Sequence, residues 1–569
     1  MPRYATALPC LAATLIAACA GTPTRNEPAR TLTVDVPQVA HPHGETPAWW
    51  YRSGAARAAG NGAMRGRAKN VILFLGDGMS LTTVAAARIL EGQRKGNPGE
   101  ENFLSWEQFP HTAFSKTYNT DSQTPDSAGT MTAISTGVKT HMGAIGVTAG
   151  HRGDCADSLN KAALTWLELA DSAGLATGIV TTARLTHATP AATYAHVPER
   201  NWENDTDLSA AQKAAGCKDI AQQMMAPRFG SGPRVLLGGG RGEYTSVEQR
   251  DPEYDDKVGQ RLDGRNLVEE WQRAHPRGAY VWNTQQLEAA KGAPALLGLF
   301  EADHMQFEHD RDQGPGGEPS LAQLTTTAIR ALSHDPQGYV LLVEGGRIDH
   351  ANHYGNAFRA LDETIALSDA VRAATEATSA EDTLIIVTAD HSHTLNFVGY
   401  PVRGNPILGK VRGMGGEDGN RDDYARDLAG LPFTTLNYAN GPGYVGASNA
   451  QPSGPKQFLH EPTAVEAGHG RPDLTGVDTE DPDYLQEAII PLKSESHGGE
   501  DVGIWARGPG SEAVRGTVEQ NVIYHFIVQA TPKLRERLCA AGTCDAQGVP
   551  VELPKPADFE NAAAKRPVQ

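Results

Sequence analysis

Three apolar runs in the chain each break off into an acidic residue: Val71-Ile72-Leu73-Phe74-Leu75 into Gly76-Asp77, Tyr339-Val340-Leu341-Leu342-Val343 into Glu344, and Leu384-Ile385-Ile386-Val387 into Thr388-Ala389-Asp390-His391. A single Asp after such a run is ordinarily a helix cap, and a single His an ordinary surface or core residue. Repetition at three run ends points instead to a shared crevice of metal ligands. The second run continues to Asp349 and His353, a carboxylate and an imidazole four residues apart, which share one face of a helix. His497, from Glu495-Ser496-His497-Gly498, adds a further nitrogen donor. This set of oxygen and nitrogen donors is enough for more than one divalent ion.

A nucleophile is also available. Thr124-Pro125-Asp126-Ser127-Ala128-Gly129-Thr130 leads into the small residues Met131-Thr132-Ala133-Ile134-Ser135-Thr136-Gly137, which read as a tightly packed helix with its amino end near Ser127. Backbone N–H groups and the helix dipole there favour a phosphate or another anion. Alone, Asp126 or Ser127 would be a simple cap. Beside the metal ligands, Ser127 becomes a candidate nucleophile.

The elements that must position these residues follow from the same runs. Short, continuous apolar segments read as buried parallel strands, and ligands of open α/β sheets collect outside the carboxyl ends of the strands. Ala176 to Thr182 and Arg234 to Gly240 read as further strands ending in turns. The fold class is α/β, a doubly wound central sheet flanked by helices.

These segments together resemble the alkaline phosphatases, and the animal-type enzymes more than the enterobacterial one. The resemblance runs from about Asn70 to about Cys544 and rests on ordered motifs. They are Gly76-Asp77-Gly78-Met79, Asp126-Ser127-Ala128-Gly129-Thr130, Thr186-His187-Ala188-Thr189-Pro190-Ala191 with Arg200, Val343-Glu344-Gly345-Gly346-Arg347-Ile348-Asp349-His350, Thr388-Ala389-Asp390-His391-Ser392-His393, and His497-Gly498-Gly499-Glu500-Asp501-Val502.

The resemblance implies hydrolysis of phosphate monoesters through a phosphoserine on Ser127, with two zinc ions and one magnesium ion. Asp349, His353 and His497 would hold the first zinc, and Asp77, Asp390 and His391 the second. Thr189 and Glu344, with Asp77 as a bridge, would hold magnesium. Mixed nitrogen and oxygen ligation suits zinc, and an all-oxygen shell suits magnesium. Arg200 matches the family's phosphate clamp, its planar guanidinium suited to two parallel hydrogen bonds. Around these, Asp126, His187, His350 and His393 would act from a supporting layer. His187 stands where the enterobacterial enzyme has a carboxylate, which would soften the magnesium site toward zinc or cobalt. A calcium site is implied by Glu253, the Phe300 carbonyl, Glu301, and Glu318, where the family usually has Asp. The family pattern also implies a homodimer and a crown-type surface insertion.

Length and composition fit a large α/β core. The chain has 569 residues, 39% of them hydrophobic, and a formal charge of -18, which argues against nucleic acid as a partner. At the amino end, Met1-Pro2-Arg3 and an apolar stretch from Leu8 to Ala18 read as a signal peptide. Leu15-Ile16-Ala17-Ala18-Cys19 resembles a bacterial lipobox, so Cys19 is a lipidation candidate and would give a membrane anchor; ordinary cleavage after Ala20 is the alternative. The protein is expected to be exported, to the periplasm or as an outer-membrane lipoprotein, or else secreted. Apart from Cys10 and Cys19, the cysteines are Cys155, Cys217, Cys539 and Cys544, an even set that allows three pairings. The family resemblance selects Cys155 with Cys217 and Cys539 with Cys544.

The expected organisation is a signal peptide over 1–18, a tether and arm over 19–69 with a short helix near Trp49-Trp50-Tyr51, and a catalytic core over 70–396 and 492–545. A crown-like insertion over 397–491, rich in Gly, Pro, Asn and Asp, and a tail over 546–569 complete it. Two other functions compete. A phosphodiesterase or sulfatase would share the sheet, but Asp126-Ser127-Ala128-Gly129 lacks a sulfatase-type Cys/Ser-x-Pro-x-Arg signature. An exported phosphate- or metal-binding protein without turnover would have no use for Ser127.

Overall fold

The computed structural model describes residues 32–41, 44–148, 153–158, 160–228, 232–413, 423–427, 430–445, 454–459 and 471–560. The signal segment and Cys19 lie outside the described residues.

Ten strands build the central sheet: β1 (Asn70–Gly76), β2 (His111–Lys116), β3 (Ala176–Arg184), β4 (Val235–Gly239), β5 (Ala279–Val281), β6 (Leu296–Leu299), β7 (Tyr339–Gly345), β8 (Thr383–Ala389), β9 (Val502–Arg507) and β10 (Gly516–Glu519). Their spatial order is β10-β2-β9-β8-β1-β7-β3-β4-β6-β5. From β8 to β5 every neighbour is parallel, whereas β9 runs antiparallel to both β8 and β2, so the sheet is mixed.

Alternation along β1 divides the core into two layers. Val71, Leu73 and Leu75 join one cluster with the helices Pro47–Asn61, Ser127–Thr136 and Val522–Ala530. Ile72 and Phe74 join the other with the helices Leu81–Arg94, Leu321–Ser333 and Ala357–Ala377. Side chains of successive strand residues point to opposite faces, so one strand binds both helical layers. A continuous apolar run is what this double burial requires.

The register places the chemistry. Leu75 and Gly76 of β1 lie opposite Glu344 and Gly345 of β7 on one side, and opposite Thr388 and Ala389 of β8 on the other. Asp77, Glu344 and Asp390 therefore emerge at the same edge of three adjacent strands.

The helix near Trp49-Trp50-Tyr51 runs for 15 residues and is packed into the body rather than held on a tether. Tyr51 is fully buried, its ring 4.6 Å edge-on from that of His525, and the Asn521 side chain donates to the Trp50 carbonyl at 2.8 Å. Sustained small residues on one face (Gly54, Ala55, Ala58) let it approach Val522–Ala530 closely. The disulfides are Cys155–Cys217 and Cys539–Cys544, which marks an exported protein. No described helix is long and apolar enough to cross a membrane.

Candidate metal centre and nucleophile

Asp126 caps the helix Ser127–Thr136, its carboxylate accepting from the Gly129 N–H at 3.1 Å. The same carboxylate accepts from the Gly143 N–H at 3.0 Å, from Asn119 at 3.1 Å and from Arg200 Nη1 at 3.2 Å. Although burial acts in the opposite sense, Arg200 and the backbone donors hold Asp126 below the usual carboxylate range. Ser127 is thereby fixed at the first helical position, buried, with Oγ 3.1 Å from His391 Nε2 and 3.5 Å from Asp77 Oδ1.

Around this hydroxyl the strand ends converge. The donor atoms of Asp77, Asp390 and His391 lie within 4.8 Å of one another, as do those of Asp77, His187 and Glu344, and those of Asp349, His353, His393 and His497. The helix Arg347–His353 brings Asp349 and His353 to one face, with His353 Nε2 at 3.4 Å from Asp349 Oδ2. His497 joins them from a two-residue strand paired with His393, its Nε2 at 3.3 Å from Asp349 Oδ1. Gly78 makes the turn after Asp77 with φ +66°; a Cβ there would sit 2.3 Å from the His393 ring.

The electrostatics are those of a cation site. Burial raises Asp77 well above the usual range, and the charges of Asp390, Asp349 and Glu344 add to it. Burial likewise raises Asp390 and pushes Glu344 up to about 7. Glu344 accepts from Thr181 and keeps its other oxygen, Oε1, buried without a partner; Thr189 donates to Asp77 Oδ2 at 3.2 Å. Burial lowers His391 well below 6.5, and lowers His353, which favours the neutral form of both rings. Clustered carboxylates with an orphan oxygen and neutral imidazoles match what divalent ions need.

His393 donates between two carboxylates, Asp349 at 2.6 Å and Glu495. Burial opposes its charge, but Glu495 and Asp349 outweigh it and raise His393 to about 10. It steadies Asp349. Arg200 reaches across to His187, with Nη2 3.2 Å from Nε2, and His187 and His350 pack edge to face at 5.3 Å. Sequence reasoning missed Glu495, Asn119, Arg184, His304 and the contacts of Arg347; Glu495 and Arg184 act on residues more than a hundred positions away, whereas Asn119 and Arg347 reach Asp126 and His350 nearby without any local pattern that announces them.

The acidic loop residues are arranged less tightly. Glu301 accepts from Tyr254 at 2.6 Å and from the Gln306 side chain at 2.9 Å, while Glu318 accepts from the Gln306 backbone at 3.0 Å. Glu253 is engaged by Arg241 at 2.7 Å. Phe300 is fully buried beside Glu301 at the end of β6. Burial, followed by the charges of Glu301 and Glu253, pushes Glu318 up to about 8. The compact donor groupings among the described residues do not include these three carboxylates.

The alkaline phosphatase family model matches residues 68–532. The chain is 42% identical over 471 residues to the tissue-nonspecific alkaline phosphatase isozyme of Felis catus, covering 81% of this chain and 83% of that one. It is 41% identical over 476 residues to an alkaline phosphatase of Gadus morhua, covering 82% and 92%. Among solved structures, the alkaline phosphatase of Thermus thermophilus matches with a TM-score of 0.58 at 23% identity, covering 89% of this chain and 100% of that one.

Proposed function

Because the chain belongs to the alkaline phosphatase family, and is an enzyme of that activity acting on phosphate monoesters, we propose that Ser127 is its nucleophile and that the reaction passes through a phosphoserine. The observation that carries this reading is the position of the Ser127 hydroxyl, at a helix amino end and within 3.5 Å of both His391 and Asp77. Metal ions belong to the family, and the buried Asp and His groupings fit them. We assign Asp349, His353 and His497 to one zinc, Asp77, Asp390 and His391 to a second, and Asp77, Thr189 and Glu344 to magnesium. Bound there, such ions supply charge for the entering and leaving oxygens and lower the pKa of water.

The chain's own groups do the rest. Ser127 Oγ gives up its proton to solvent and attacks phosphorus, with backbone N–H groups at the helix start facing the anion; the P–O bond to the alcohol breaks, and the departing alkoxide takes a proton from water. Water then attacks the phosphoserine, the Oγ–P bond breaks, and inorganic phosphate leaves as Oγ regains a proton. Arg200, already aimed by Asp126, donates its fork to the non-bridging oxygens. His187 meets Arg200 and packs against His350, and His393 holds Asp349 in place. The substrate class is tested with p-nitrophenyl phosphate, its diester and its sulfate. The monoester is expected to be cleaved at least about a hundredfold faster than the others, a discrimination of about 2.7 kcal/mol or more. Comparable cleavage of the diester or sulfate would contradict the reading.

A calcium ion held by Glu253, Phe300, Glu301 and Glu318 would relieve the raised Glu318. Calcium should raise the unfolding temperature of the wild type but not of Glu301→Ala, since a ligand stabilises only a fold that has its site. Equal shifts in both would remove the site. We place the insertion over 397–491 at a homodimer interface. Exposed Phe397, Ile489 and Ile490 lie in its three-stranded sheet of Leu395–Phe397, Leu436–Gly441 and Ala488–Pro491. Acylation of Cys19 would anchor the exported protein at a membrane; Cys19→Ser is expected to lose membrane association or processing, and unchanged association would favour ordinary secretion.

A further inference from the structure

Next to the phosphate clamp lies a second basic cluster, built on three largely buried imidazoles and three arginines. Arg200 Nη2 is 3.2 Å from His187 Nε2, and Arg347 Nη1 is 3.0 Å from His350 Nδ1. Arg184 meets His304 twice, with Nη1 2.8 Å from Nε2 and its backbone N–H donating to Nδ1 at 3.1 Å. The ring centroids are 4.2 to 5.3 Å apart, and nitrogens of all three rings lie within 4.8 Å of one another.

Three histidines at this spacing suggest a metal, but the hydrogen bonds oppose it. A guanidinium only donates, so an imidazole nitrogen that meets one is the lone-pair nitrogen, and its other nitrogen carries the proton. His187 and His350 therefore turn N–H groups, not lone pairs, away from their arginines. His304 faces donors at both nitrogens and has one lone pair to offer. A cation would meet donors here.

The unmet groups are donors too. His187 Nδ1 and Arg347 Nε are buried without a partner. Arg184 is neutralised by Glu203 and Asp303, and Arg200 by Asp126. Arg347, by contrast, has the His350 ring and the face of Phe307, 3.8 Å from its guanidinium carbon, and makes no ion pair among the described residues. An unpaired guanidinium removed from water is costly and calls for an anion.

We propose that this cluster is a second oxyanion subsite, in which the Arg347 guanidinium receives a carboxylate or phosphate distinct from the phosphoryl group being transferred. The anion comes either from a second acidic group on the substrate or from free inorganic phosphate. The inference rests on Ser127 and Arg200 as the reacting site.

Glycerol 3-phosphate and 3-phosphoglycerate form a matched pair, differing by a hydroxymethyl group against a carboxylate. In the metal-loaded enzyme, the ratio of kcat/KM for 3-phosphoglycerate over glycerol 3-phosphate is expected to fall about tenfold in Arg347→Gln, the worth of one charge-assisted contact. Arg347→Lys keeps the charge without the fork and should give an intermediate ratio, which maintains the test should the glutamine variant fail to fold. For the second source, equilibrium dialysis of Ser127→Ala against inorganic phosphate should give two phosphates per chain, and one when Arg347→Gln is added. A changed ratio assigns the subsite to the substrate, and a second bound phosphate assigns it to free phosphate. An unchanged ratio together with one phosphate in both proteins overturns the proposal. Phosphoenzyme labelling of Arg347→Gln by p-nitrophenyl phosphate separates this failure from that of the reacting site. Label on Ser127 persists if only the subsite is wrong, and in the wild type is found on another residue or not at all if Ser127 is wrong.

Discussion

Replacement of Ser127 by alanine is expected to lower kcat by about 10⁴-fold or more while the protein keeps its fold and its metal content. The loss is large because, among the described residues, no hydroxyl other than that of Ser127 is placed between His391 and Asp77. Its oxygen stands between His391 at 3.1 Å and Asp77 at 3.5 Å, at the start of a helix whose cap, Asp126, stays in place. The fold is expected to survive because the change removes one buried oxygen and leaves Ala128, Met131 and Ile134 to pack the helix. Asp77, Asp390 and His391 are untouched, so metal retention separates a lost nucleophile from a collapsed site. Stopped-flow turnover of p-nitrophenyl phosphate and elemental analysis of the purified variant check both halves. Turnover near the wild-type rate would rule out Ser127.

The second large effect is that of metal removal, and it carries a pH signature. Stripping the ions with a chelator is expected to abolish turnover and to leave four acidic side chains, Asp77, Glu344, Asp349 and Asp390, facing each other in a dry crevice. In the stripped protein burial raises Glu344 from an ordinary 4.5 to about 7, and raises Asp77 and Asp390 as well. A folded state with raised carboxyls binds more protons than the unfolded chain. Its stability is therefore greatest below about pH 4.5 so far as these groups are concerned, and declines as the pH rises through about 7. The metal-loaded protein should not show that decline, because the ions favour the ionised carboxylates. Unfolding temperatures measured from pH 5 to pH 8 with and without chelator decide it. Parallel curves would mean that the carboxylates are not held by ions.

How much of this was legible in the sequence depended on whether a contact is made by the end of an element or across elements. Asp77, Glu344 and Asp390 were readable because a strand buried on both faces is an unbroken apolar run whose end is conspicuous, and parallel register brings those ends together. Asp349 and His353 were readable from helical spacing. The role of Asp126 as cap showed in the small-residue run that follows it.

Glu495 was not readable, since its bond to His393 spans about a hundred residues and it follows no apolar run. His304 lies in a loop after β6 and meets Arg184 only because β3 and β6 flank β4. The antiparallel insertion of β9 between β8 and β2 was equally hidden, because Val502–Arg507 is short and pairs with strands far earlier in the chain. Arg347 stood inside a recognised motif, yet that it makes no ion pair among the described residues is a property of the packed neighbourhood alone. The helix Pro47–Asn61 was seen only in outline, as its many Ala and Gly residues give weak periodicity although they pack well.

The central claim, a covalent phosphate on Ser127, is tested most directly by acid-quenching the enzyme during turnover of a phosphate monoester and locating the bound phosphate by peptide mass spectrometry. The account predicts a phosphoserine in the peptide containing Thr124-Pro125-Asp126-Ser127, absent from Ser127→Ala. Phosphate on a different residue, or none during full-rate turnover under quench conditions that preserve phosphoserine, would contradict it.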